Sequence, residues 1–164
     1  RPKVYFTGSG CGTEKVRLGD RPQPYPGYAH FRAKREAALA AYKMAGIRDP
    51  FKSIDVAEVA DTFTGAELQT YEALGFCDPG LSGPLSERGV FDIGGELPTN
   101  TSGGLIGQGA PPGAVGIAQS VEILAQLRGE RPDSTQVKDA RTGLMDIHGG
   151  TSSYAVVSIF SRED

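Results

Sequence analysis

From Glu96 the chain reads Glu96-Leu97-Pro98-Thr99-Asn100-Thr101-Ser102-Gly103-Gly104. From Gly109 it continues Gly109-Ala110-Pro111-Pro112-Gly113-Ala114-Val115-Gly116 and enters an amphipathic segment. A glycine-rich loop of this kind lets backbone approach a ligand closely, and the helix behind it offers free N–H donors to negative charge. Ahead of the loop, strand and helix patterns alternate; behind it come one helix and two strands. The order β-α-β-α-loop-α-β-β predicts an α/β layered domain with a mixed sheet.

The periodic segments are short and well punctuated. Val4 to Gly10 reads as a strand closing in a glycine turn, and the polar, proline-rich stretch 17–26 as a loop. Tyr28 to Ala45 reads as a helix, with Phe31, Ala38, Tyr42 and Ala45 at helical spacing and Gly46 as its stop. His30 falls on the surface early in that helix. Ser53 to Val59 has apolar residues on both faces, Ile54 and Val56 against Ala57 and Val59, as a central strand would.

Thr64 and Glu67 have the spacing of a capping box, with Phe63 and Leu68 at the staple positions. Leu68, Tyr71 and Leu74 form the expected buried stripe up to Gly75. Cys77 to Thr101 reads as a long loop, extending to about residue 113, of the kind that is functional or docked on a partner. Ala114 to Leu127 is the third helix, with Ile117, Val121 and Leu124 as its expected buried stripe. Gly143 to His148 and Ser153 to Phe160 read as a hairpin with Ala155, Val157 and Ile159 on one face.

At 164 residues the chain is expected to form one domain with a single core. The net charge of −3 argues against nucleic acid as a partner. Twenty-three glycines and eleven prolines mark a loop-rich chain. Cys11 and Cys77 suggest neither a disulfide framework nor a metal cluster, so no metal site is expected. No apolar run is long enough to span a bilayer and no secretory signal precedes the first strand, which makes the cytoplasm the expected compartment. The chain opens on Arg1, as a processed piece or one half of a longer protein would.

Four segments match one known family in order and spacing. They are Ile54-Asp55-Val56-Ala57-Glu58-Val59 followed by Asp61-Thr62-Phe63; Tyr71-Glu72-Ala73-Leu74-Gly75-Phe76-Cys77; Asn100-Thr101-Ser102-Gly103-Gly104; and Gln126-Leu127-Arg128-Gly129. From Val4 to Phe160 the chain resembles the C-terminal half of thiolases, in particular the archaeal and sterol-carrier-type branch. The resemblance implies chemistry at a carbon–carbon bond beside a CoA thioester, with coenzyme A carried as substrate and no bound cofactor. It also implies a nucleophilic cysteine on an N-terminal half or companion chain, within a dimer or larger assembly.

At three family positions the sequence departs from the pattern. Ala60 stands where an Asn or His helps bind the oxyanion, and Ala110 where a Gly-His-Pro histidine activates the nucleophile. The late loop Ile147-His148-Gly149-Gly150 carries no cysteine. A methyl group neither donates a hydrogen bond nor moves a proton, and loss of one oxyanion donor costs about 10²- to 10³-fold in rate.

Three side chains remain as candidates for catalysis. His148 reads either as a general acid/base or as a strand-end histidine bonded to backbone. Tyr154 either protonates an oxyanion or packs in the hairpin. Asp61 either takes part in the site or bonds a neighbouring amide and orients a loop. Asn100, Ser102, Gly103, Gly104, Gly109 and Gly113 are the substrate-binding residues the resemblance implies, against the reading of the first four as a structural turn. Cys77 has no activating base beside it in sequence.

Three functions fit these residues. The first is half of a thiolase-family acyl-CoA enzyme. The second is a thiolase-like retro-aldolase on β-hydroxyacyl-CoA with a small OB-fold acyl-CoA-binding partner, in which Tyr154 or His148 moves the proton. The third is a non-catalytic subunit of a thiolase-like complex.

Overall fold

The computed structural model describes residues 1–21 and 30–163. Residues 22–26 of the stretch expected as a loop over 17–26, and the expected first helical residues Tyr28 and Ala29, lie outside the described residues. The element order is β1 (Val4–Thr13), α1 (Arg32–Ala45), α2 (Pro50–Ser53), β2 (Val56–Glu58), α3 (Thr64–Ala73), α4 (Ser82–Glu87), α5 (Gly104–Gln108), α6 (Val115–Arg128), β3 (Thr142–Gly149) and β4 (Tyr154–Arg162), with a 3₁₀ turn at Leu18–Asp20. The strands form a mixed sheet in the order β1-β4-β3-β2, antiparallel except for the β2–β3 pair. The layered α/β fold expected from the sequence is the fold observed.

Alternate strand residues feed two apolar layers. Leu144, Ala155, Val157 and Ile159 pack with Ala37 and Tyr42 of α1 and Tyr71 of α3. Val56, Met145 and Phe160 pack on the other side with Ile123 and Leu127 of α6. The expected β3–β4 hairpin forms, with Gly149 opposite Tyr154.

The glycines expected to close β1 in a turn lie inside the strand. A Cβ on Gly8, Gly10 or Gly12 would fall 2.5, 1.9 and 1.9 Å from the carbonyl oxygens of Ala41, Ala37 and Ala33. Those alanines repeat at i, i+4 and i+8, so the small residues of β1 and α1 fit backbone to backbone. Helix α1 starts at Arg32 rather than Tyr28, which leaves His30 exposed ahead of it, and it ends at Gly46 in the left-handed conformation.

The strand expected over 53–59 is shorter, because Pro50–Ser53 forms a helical turn in which Lys52 N–H donates to Asp49 Oδ1 at 3.3 Å. β2 is also an edge strand, not a central one. Its second side is covered by the long loop, through Ala57 N–H to Pro98 O at 3.0 Å and Asn100 N–H to Ala57 O at 2.8 Å. A docked loop buries an edge as a neighbouring strand would.

The capping box does not form. Phe63, not Thr64, is the α3 N-cap, no side chain caps it, and Phe63 is 74% exposed rather than stapled. Glu67 instead accepts from Tyr71 Oη at 2.6 Å and Asn100 Nδ2 at 3.1 Å. The long loop contains α4 and α5 and is anchored by buried Val90, Phe91 and Leu97, with Phe91 stacked on Tyr71 at 3.9 Å.

Helix α6 is rotated from its expected orientation. Ile117 and Val121 are 69% and 54% exposed, while Val115, Gln119, Glu122, Ile123, Gln126 and Leu127 are buried. The inward amide of Gln126 is satisfied on both its atoms. Gln126 Nε2 donates to Thr101 Oγ1 at 2.9 Å and to Thr135 O at 2.8 Å, and its Oε1 accepts from Val137 N–H at 2.9 Å. Hydrogen-bonded glutamines fill positions that apolar spacing assigns to solvent.

Candidate functional site

A cleft of about 890 Å³ opens between the N-terminal half of α6 and the end of the β3–β4 hairpin. Helix α6 contributes Gly116, Ile117, Ser120 and Val121 to its wall. Gly116 is small because a Cβ there would meet the Met145 methyl at 3.2 Å. The hairpin contributes Ile147, His148, Gly149 and Tyr154, and the glycine-rich loop contributes Ala110 and Gly113. Beneath lies a small apolar cluster of Ala60, Leu105 and Val115.

Of the candidate residues, the cleft gathers His148, Tyr154, Gly113 and the Ala110 position. Tyr154 is 55% exposed, and its side chain lies over Gly149, where a Cβ would fall 1.8 Å from Oη. His148 is not bonded to backbone. Its Nδ1 is buried without a partner, and its ring lies 5.5 Å from that of Phe31. Burial first, and then the Lys34 charge, push its imidazole down to about 4. The ring is therefore uncharged at neutral pH.

The remaining candidates build the walls from behind. Asp61 is buried, and its Oδ1 accepts from Leu105 N–H at 2.6 Å. Gly104 has to be glycine, since its φ is +63° and a Cβ would lie 1.9 Å from Asp61 Oδ2. Asp61 thus ties the α5 turn, and Leu105 on the cleft, to the end of β2. Asn100 sits at φ 54°, its Oδ1 accepting from Val59 N–H at 2.8 Å. Ser102 Oγ and N–H both donate to Glu58, at 2.5 and 3.1 Å. Asn100 and Ser102 spend their polar groups inside the fold. Gly103 and Gly109 adopt positive φ at the two ends of α5.

Glu58 is fully buried, and loss of solvent raises its carboxyl to about 7 despite the Ser102 hydrogen bonds. Cys77, away from the cleft, has its thiol pushed up to about 11 by burial and then by Glu72 and Asp78, so it is no activated nucleophile.

Sequence reasoning missed a charged pair behind the sheet. Lys34 of α1 and Asp146 of β3 are both fully buried, with Lys34 Nζ 2.5 Å from Asp146 Oδ2. Nζ also donates to Thr70 Oγ1 at 2.6 Å, and Ala60 N–H donates to the same Asp146 oxygen at 3.3 Å. Asp146 Oδ1 is unpartnered. The signal was present: Lys34 stands four residues before Ala38 and eight before Tyr42, and Asp146 interrupts the apolar run from Leu144 to Ile147. Each is a charge at a core position, and such charges are paired.

The fold and the cleft define a two-faced α/β domain that is apolar where it meets the cleft. The sequence pattern of the thiolase C-terminal domain-like family matches residues 25–162, and the chain belongs to that family. It is 39% identical over 159 residues to an acetyl-CoA acetyltransferase of Methanothermobacter thermautotrophicus, covering 97% of this chain and 40% of that protein. It is 43% identical over 130 residues to sterol carrier protein 2 of Oryctolagus cuniculus, covering 79% of this chain and 23% of that protein. The chain thus spans less than half the length of these curated relatives. Its fold is that of the Ltp2-ChsH2(DUF35) aldolase, with a TM-score of 0.78 at 23% identity over 96% of this chain and 39% of that one. Among the described residues, no helix is long and apolar enough to cross a membrane, and no group of three or more His, Cys, Asp or Glu side chains could hold a metal ion.

Proposed function

We propose that this domain is the C-terminal half of an acyl-CoA enzyme acting on a carbon–carbon bond beside a CoA thioester. The nucleophile-bearing half comes from a companion segment or chain, in a cytoplasmic dimer or larger assembly. The observation that carries this reading is the half-built cleft. Its α6 wall presents Ile117 and Val121 to solvent, as one side of an interface would, and its rim offers Tyr154 as a proton-handling group. The apolar walls suit an acyl chain and exclude water from the reacting carbon.

The residues at the cleft favour one branch of the chemistry. With Ala60 and Ala110 in place of polar residues, cysteine-dependent thiolysis lacks its activating histidine and an oxyanion donor. A retro-aldol cleavage of a β-hydroxyacyl-CoA needs less. A base takes the β-hydroxyl proton, the bond between the α and β carbons breaks, and its electron pair passes to the α-carbon as a thioester enolate. A phenol then returns a proton to that enolate. Tyr154, exposed at the cleft rim, suits the proton-returning role, and the base falls to the companion half, because the depressed His148 imidazole accepts a proton poorly. A small OB-fold subunit that presents the acyl-CoA would complete such an enzyme.

The test is to co-purify the assembly and measure both acyl-CoA thiolysis and β-hydroxyacyl-CoA cleavage. Cleavage is expected to exceed thiolysis, and Tyr154→Phe is expected to lower it about 10²-fold or more. Undiminished cleavage in that variant removes Tyr154 from the mechanism. Tight assembly with no turnover on any acyl-CoA makes the domain a non-catalytic subunit.

A further inference from the structure

We propose that the recess between α1 and the end of α3 is a second ligand site, which takes an aliphatic chain ending in a carboxylate or phosphate head. The recess holds about 330 Å³ and shares no lining residue with the cleft. Its floor is apolar: Ala38 and Leu39 of α1, Ile47 and Pro50 after that helix, and Leu74 just past α3. Tyr42 also lines it, but its Oη is spent on Leu74 O at 2.8 Å. The floor side chains leave no free polar atom for a ligand, so the body they suit is hydrocarbon.

The rim is cationic. Arg35 and Lys43 stand on one stripe of α1 with Leu39 midway between them, and Arg48 follows Gly46 by two residues. All three are exposed. Among the described residues, no carboxylate lines the recess, and none forms an ion pair with these cations. Scattered surface lysines and arginines are ordinary; these converge on an apolar hollow free of acids, in a chain whose net charge is −3. Arg35 lies near the start of α1, where a cation opposes the positive end of the helix, so the helix itself gives no reason for it. The negative helix ends at the recess are quenched. Tyr42 O accepts from Gly46 and Ile47 N–H, Tyr71 O from Phe76 N–H, Glu72 O from Gly75 N–H, and Leu74 O from Tyr42 Oη. What the rim offers a ligand is therefore positive charge, and a guanidinium fork suits carboxylate and phosphate alike.

The test titrates octanoate, octyl phosphate, octanol and inorganic phosphate into the assembled protein by calorimetry, at low and high salt. Octanoate, octyl phosphate or both should bind saturably, and the tighter of the two identifies the head as carboxylate or phosphate. Octanol and inorganic phosphate should bind about tenfold more weakly or not at all, and the affinity for the amphiphile should fall as salt rises. Arg35→Gln/Arg48→Gln should weaken the amphiphile about tenfold or more and leave the unfolding temperature unchanged, since both side chains are exposed. Leu39→Asp, which sets a carboxylate among the cations, should abolish binding, and it decides the matter if the double variant does not fold. Binding indifferent to these variants belongs to the cleft and overturns the proposal. Octanol as tight as octanoate means the cations are idle, inorganic phosphate as tight means the floor is idle, and either result overturns it. So does the absence of saturable binding. Variants that weaken assembly instead make the recess a protein contact, and the proposal falls. Turnover of acyl-CoA is read at the cleft, on residues the recess does not share, so the proposed activity stands or falls separately.

Discussion

Gly10 sets how closely a strand and a helix approach in this fold. A methyl there would sit 1.9 Å from the Ala37 carbonyl oxygen, a backbone atom with no rotamer to yield. Gly10→Ala should cost about 3 kcal/mol or more in denaturant unfolding, near the upper end for overpacking, because β1 and α1 must separate. Glu58 makes a different residue-scale prediction. Its carboxyl binds a proton more tightly in the folded chain, at about 7, than in the unfolded one. The native state therefore holds more protons between about pH 4.5 and 7. Stability from this group is full below that window and is lost as pH rises through it. The span corresponds to roughly 3 kcal/mol at most. His148 acts oppositely, since its depressed imidazole withdraws stability as pH falls through about 6.5 toward 4. The two slopes offset each other in the wild type. Glu58→Gln, which keeps the Ser102 loop bonded without a titrating group, should therefore show stability that rises from pH 4.5 to 7 more steeply than the parent. Equal slopes in the two proteins would mean that Glu58 is not the titrating group.

At the scale of elements, α6 separates what holds the domain together from what the domain offers to others. Ile123 and Leu127 are fully buried against Val56 and Phe160, whereas Ile117 and Val121 stand exposed on the cleft wall. Ile117→Asp should leave the domain's own stability within about 0.5 kcal/mol while abolishing co-purification with the companion half. Ile123→Ala should cost about 2–5 kcal/mol by leaving a core cavity. Retained assembly in the Ile117 variant would place the companion on another face. The two stripes of α6 also show why its orientation was not legible. Both are apolar at helical spacing, and the one that turned inward is flanked by Gln119 and Gln126, which bond Asp146 O and Thr101 Oγ1. The hydrogen bonds that select this face come from segments distant in sequence. In the same way, Glu67 was drawn from a local cap to Tyr71 and Asn100, a partner 33 residues away.

At the scale of the whole molecule, the domain is a sheet with two unlike sides. The α1 side holds the larger core and the Lys34–Asp146 pair, and the α6 side leaves an apolar wall open. A molecule so arranged keeps the Lys34–Asp146 pair behind the sheet and its cleft wall apolar, which suits a site completed by a second body. The sequence by itself determined the layered α/β order, the β3–β4 hairpin, the Gly46 helix stop and the family. Each of these depends on residues close together in the chain, where periodicity, turn chemistry and motif spacing act directly. Only the tertiary structure decided that Gly8, Gly10 and Gly12 admit α1, that a long loop buries the β2 edge, which face of α6 turns inward, and that a lysine and an aspartate 112 positions apart meet behind His148. Those outcomes depend on distance and burial between segments far apart in the chain, and a linear pattern carries neither.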